Sequence, residues 1–142
     1  MDAKRYLYSI RDEQKEIQSL ERRINEAEMS LLPGGIRYDS EKVQTSPRGD
    51  TMADMVAKLD EYVQELRERV AVLTERKEKA QRIINQIDSA TERTILSELF
   101  LSSPRMRIDQ VADTIGRSTR DTYRKYQSAI EHFDEILSLN GS

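Results

Sequence analysis

Residues 107–130 read RIDQVADTIGRSTRDTYRKYQSAI. The side chains here that can do chemistry bind rather than catalyse: Arg117, Ser118, Thr119, Arg120, Tyr123, Arg124, Lys125 and Gln127. Arg120 and Arg124 stand four apart and share a helix face, where a guanidinium can make paired hydrogen bonds to guanine. Arg117 and Ser118, just before the helix, suit phosphates. Thr119, Arg120, Tyr123, Arg124 and Gln127 are then the outward groups. The competing reading is an ordinary solvated surface, since Arg and Lys are common on any exposed helix.

Charge is distributed unevenly around this segment. Residues 103–130 hold Arg105, Arg107, Arg117, Arg120, Arg124 and Lys125 against Asp109, Asp113 and Asp121, six minus three, a local +3. Residues 131–142 hold Glu131, Asp134 and Glu135 with no base, a local −3. The whole chain is acidic, at −3. DNA affinity depends on where cations meet phosphates, so the total does not exclude binding; it predicts weak, salt-sensitive binding by one copy.

Catalysis finds no comparable constellation. His132, the single histidine, sits beside Phe133 with no evident catalytic partner, and its plain reading is a partly exposed helix residue. The Gly-rich stretch LPGG lacks the lysine and the strand-to-helix context of a phosphate-cradling loop. Carboxylates alternate with Arg and Lys, where ion pairing is their ordinary use. No catalytic residue, metal site or cofactor is expected, and the chain is not read as an enzyme.

The elements that must position the basic residues are legible around them. SATE sets Ser89 and Glu92 at capping-box spacing and opens a helix carrying Ile95, Leu96, Leu99, Phe100 and Leu101, which Pro104 stops. A short helix from about Ile108 to Ile115 ends at Gly116, whose freedom at positive φ suits a tight turn. STRD repeats the capping-box spacing at Ser118 and Asp121 and opens a helix reaching roughly Leu139, with Thr122, Tyr126, Ala129, Ile130, Phe133, Ile136 and Leu137 inward. Three helices with a tight turn between the last two have the layout of a helix-turn-helix.

Upstream, apolar residues recur every seven positions. Ala3, Ile10, Ile17, Ile24 and Leu31 form one row, with Tyr6, Leu20 and Ala27 beside it and Glu13 interrupting. From Met52 the rows are Met52, Leu59, Leu66, Leu73, Ala80, Ile87 and Val56, Val63, Val70, Ile84, interrupted at Lys77. Such a repeat marks a coiled-coil seam. Helices over about 3–31 and 52–88, some 43 and 55 Å long at 1.5 Å per residue, match as an antiparallel hairpin. Two helices alone leave half of each stripe wet, which predicts association with a second copy. The linker 32–51 holds Pro33, Gly34, Gly35, Pro47 and Gly49, with Asp50 or Thr51 as a cap. Its Arg37, Lys42 and Arg48 are read as solvated rather than as contacts.

The expected fold class is therefore all-α: a long antiparallel coiled-coil hairpin (1–88, for oligomerisation) followed by a small three-helix helix-turn-helix domain (89–142). With 37% hydrophobic and 35% charged residues, thin helical assemblies fit better than one thick core. The absence of Cys excludes disulfides and thiolate zinc sites and fits a reducing compartment. No apolar run approaches a membrane span and no secretory core is present, so a soluble cytoplasmic protein is expected.

The stretches EKVQTSPRGDTMADMVAKLDEY and IDQVADTIGRSTRDTYRKYQSAI, joined by the long heptad helix, resemble a family of small phage and prophage proteins of Gram-positive hosts. That family has no firmly assigned function and carries a C-terminal helix-turn-helix similar to region 4 of bacterial sigma factors; ArpU-type phage transcriptional regulators are similar. The resemblance implies a phage-encoded transcription regulator in the bacterial cytoplasm, binding double-stranded DNA as a homodimer or higher oligomer, with host RNA polymerase as a further partner. It assigns base contacts to Thr119, Arg120, Tyr123 and Arg124, and places Arg117, Ser118, Lys125 and Gln127 near the backbone. The chain departs from the family pattern at Thr122 and near Lys125, where aliphatic residues are usual, and in LSSPRMRIDQ, where the helix start is usually more acidic. Two other classes compete: a small terminase-like DNA-packaging protein, and a protein-interaction module with a degenerate helix-turn-helix.

Overall fold

The computed structural model describes residues 2–32 and 52–140. It is all-α: α1 (Ala3–Leu31) and α2 (Met52–Ile84) form a long antiparallel pair, followed by a small cluster of α3 (Ala90–Leu96, continued by a π-helical turn Ser97–Leu101), α4 (Ile108–Ile115) and α5 (Thr119–Leu139). The linker residues 33–51, with Arg37, Lys42, Arg48 and the cap expected at Asp50 or Thr51, lie outside the described residues. No described helix is long and apolar enough to cross a membrane.

The chain divides into two compact units, Met1–Glu13 with Leu73–Ser142, and Gln14–Val72. In the second, Ile17, Leu20 and Ile24 of α1 are buried, while Leu59, Tyr62 and Leu66 of α2 are half-buried. Arg69 ties the helices together, 3.1 Å from Glu16 and 3.2 Å from Glu65 one turn earlier on its own helix. The exposure expected on both stripes falls on one. The row of α1 is covered, whereas Val56 and Val70 of α2 are 42% and 41% exposed.

The first unit is built from both ends of the sequence. Ala3, Leu7 and Ile10 of α1, Ala80, Ile83 and Ile84 of α2, Ile95, Leu96 and Phe100 of α3, Val111 and Ala112 of α4, and Ala129 and Phe133 of α5 are all buried. The start of α1 is held by carboxylates that satisfy its orphan donors. Asp2 Oδ1 accepts from the Arg5 N–H at 2.8 Å, and Asp134 Oδ1, from α5, accepts from the Ala3 N–H at 3.0 Å. The Tyr6 ring lies 6.2 Å from Phe133, and Tyr8 meets Phe100 edge-on at 5.5 Å.

α2 ends at Ile84, earlier than the heptad row through Ile87 suggests. The chain tightens there into i→i+3 hydrogen bonds, Gln86 to Ile83 and Ile87 to Ile84, which keep Ile87 buried without continuing the helix. Arg93 from the next helix donates to the carbonyls of Ile87 and Asp88 at 2.6 and 3.0 Å. The Ile87 and Asp88 carbonyls just past the break are thereby satisfied.

Candidate nucleic-acid interface

α4 and α5 are joined by Gly116, Arg117 and Ser118. At the end of α4 the Gly116 N–H donates to Asp113 and the Arg117 N–H to Ala112, the paired bonds of a left-handed helix stop. Gly116 has φ 73 and ψ 35, which any other residue adopts only with strain. A side chain there would meet nothing within 4 Å, so conformation rather than space requires the glycine.

Ser118 then caps α5, its Oγ accepting from the Asp121 N–H at 3.0 Å. The capping box is half-made, because the Asp121 carboxylate turns to Arg117 (2.8 Å) and Arg124 (3.1 Å) instead of the helix start. The hydrogen bond from Arg117, with the charges of Arg117, Arg124 and Lys125, holds the Asp121 carboxyl below its ordinary range. SATE repeats the departure: Ser89 Oγ accepts from the Glu92 N–H, and the Glu92 carboxylate points into the core.

The rotation of α5 is fixed by its inner face. Thr122, Tyr126, Ala129, Phe133 and Leu137 are buried, as the spacing predicts. Thr122, where the resembled family carries an aliphatic residue, fits because its hydroxyl donates to the Ser118 carbonyl at 2.8 Å. Of the two tyrosines, Tyr126 is 7% and Tyr123 51% exposed, their rings 5.9 Å apart. Burial, then interaction with Tyr8, raises the Tyr126 hydroxyl well above its ordinary pKa.

The opposite face gathers Arg117, Ser118, Thr119, Arg120, Tyr123, Arg124 and Gln127, all exposed, with Lys125 half-buried at its edge. Arg120 makes no ion pair among the described residues. On the approach to α4, Arg107 pairs with Asp109 at 3.3 Å. α1 adds groups that helix periodicity gives no means of finding. Arg11 lies over Tyr8 at 5.0 Å and over Phe100 at 5.6 Å, and Phe100 lies 6.3 Å from Tyr126. An arginine and a 40%-exposed tyrosine thus stand on the aromatic cluster whose outermost member is Tyr123.

His132 does have a partner. Its Nδ1 lies 2.6 Å from Oε1 of Glu92, which is 5% exposed and also accepts from the Ser128 hydroxyl at 2.9 Å. The pair clamps α3 to α5. Hydrogen bonding to Glu92, with the charges of Glu92, Glu135 and Glu131, raises His132 above its ordinary 6.5, against a smaller opposing effect of burial. A raised folded-state value means the contribution is complete below about 6.5 and is lost as pH rises through that higher value. Denaturant stability is therefore expected to fall as pH rises above about 6.5, with His132→Gln abolishing this part of the decline. Identical pH profiles for the two proteins would contradict the clamp.

Among the described residues no group of three or more His, Asp or Glu side chains is placed to hold a metal ion. No curated protein and no solved structure matches the chain. Residues 36–134 match the family described as Protein of unknown function (DUF1492), a span that takes in α2, α3, α4 and the basic face of α5, and the chain belongs to that family.

Proposed function

We propose that α4 and α5 act as a DNA-reading helix-turn-helix, with α5 entering the major groove, and that the protein is a phage-encoded transcriptional regulator working in the bacterial cytoplasm. The observation that carries the reading is the start of α5 and the turn before it: Arg117 in the turn and Thr119, Arg120, Tyr123 and Arg124 in the first two helical turns are exposed on one side while Thr122 and Tyr126 lock the other. Arg120, Tyr123 and Arg124 address base edges, as the N-terminal part of a recognition helix does. Arg117, Ser118 and Lys125 hold phosphates, helped by the partial positive charge of the helix start. The sigma region 4 resemblance extends the proposal to host RNA polymerase as a protein partner.

A second reading, a protein-interaction module, is favoured by one feature. Asp121 engages both Arg117 and Arg124 and so offsets cations that phosphates need. Solvent-exposed pairs of this kind are weak, and phosphates can displace them. DNA binding remains the better-supported reading.

Its test is a selection from sheared DNA of the encoding phage or prophage, washed at moderate salt and sequenced. Enrichment of a promoter-proximal site is the expected result. Enrichment beside the packaging genes would replace regulation with a terminase-like role, and no enrichment at any salt would contradict DNA reading altogether.

A further inference from the structure

We infer that the flank of α2 carrying Val56, Val63 and Val70 is the docking surface for a second copy of this chain, whose α2 lies against it antiparallel. Val56 and Val70 are 42% and 41% exposed, with Val63 half-buried between them. The same flank carries Ala53, Ala57 and Ala71, all exposed. α1 lies instead along the side of α2 that bears Met55, Tyr62 and Arg69. Single exposed valines are ordinary, but valines in a heptad row are the seam of a coiled coil.

Charge identifies the occupant. Asp60 and Arg67 stand on this flank one heptad apart, both exposed, and neither has an ion-pair partner among the described residues. An antiparallel two-fold that sets Asp60 against Arg67 of the partner copy satisfies both charges twice, because an isologous contact repeats itself by symmetry. The same register sets Val56 against Ala71 and Ala57 against Val70, large against small, with Val63 beside the axis. A parallel pairing in register would bring Asp60 to Asp60 and Arg67 to Arg67. The flank is thus complementary to its own reverse and not to its own copy in parallel. The inference stands apart from DNA binding and uses only residues of the Gln14–Val72 unit.

Sedimentation equilibrium of the full chain tests it. Dimers are expected, with Asp60→Arg and Arg67→Asp each raising the dissociation constant about tenfold or more and the two together restoring it. The sequence has no cysteine, so introduced thiols report register directly. Val63→Cys is expected to cross-link through a short bis-maleimide. Ala53→Cys, about 31 Å from its copy in the antiparallel register, is not. A monomer at concentrations up to about 100 µM, a dimer indifferent to the charge swaps, or equal cross-linking at both positions would overturn the inference.

Discussion

A fragment of residues 89–142 is expected not to fold on its own, although it contains α3, α4 and α5 entire. It lacks Leu7 and Ile10 of α1 and Ile83 and Ile84 of α2, each no more than 1% exposed in the same compact unit. At about 1.5–3 kcal/mol for each large buried aliphatic side chain, these four amount to roughly 6–12 kcal/mol, on the order of a domain's whole stability. The fragment also loses Tyr6 from Phe133, Tyr8 from Phe100, and the Ala3 N–H from Asp134. A chain of this size has little reserve. Circular dichroism should show weak helicity melting without a cooperative step, while the full chain melts cooperatively. A sharp transition for the fragment, with stability near that of the full chain, would contradict this account of the core.

The same packing explains what the sequence discloses and what it hides. Local patterns are legible because their causes are local. Ser89 and Ser118 cap helices, Gly116 stops one, and the spacing from Thr122 to Leu137 gives the buried side of α5. The carboxylates of the two capping-box patterns are another matter. Glu92 and Asp121 sit at the right spacing, but each has a stronger partner that only the fold brings near: Ser128 and His132 for the first, Arg117 and Arg124 for the second. The end of α2 is hidden because Ile87 keeps the heptad and remains buried, while Arg93, from the next helix, satisfies the Ile87 and Asp88 carbonyls just past the break. The place of the first turns of α1 in the C-terminal core is hidden for a similar reason. Their heptad row continues unchanged from Ala3 to Leu31 although the two ends of the helix belong to different units.

The basic face of α5 was legible as residue types and spacing, and its rotation became definite only with Tyr126 buried and Tyr123 exposed. Arg11 and Tyr8 had no signal, since their proximity to that face arises through Phe100 and Tyr126. The second large expected effect concerns this face. A guanidinium that pairs with a guanine edge contributes about 1–3 kcal/mol. Removing two such groups costs roughly 2–6 kcal/mol, a loss in affinity of about thirtyfold to beyond a thousandfold. Both arginines are exposed, so the fold is expected to survive their truncation.

The most direct measurement is therefore the affinity of Arg120→Ala, Arg124→Ala beside the unaltered protein, on a mixed-sequence duplex at low salt and on the fragment recovered by selection. Unchanged melting and at least a thirtyfold loss of affinity for the selected site are expected. Equal affinity of the two proteins, with both folded, would contradict α5 as the DNA-reading helix.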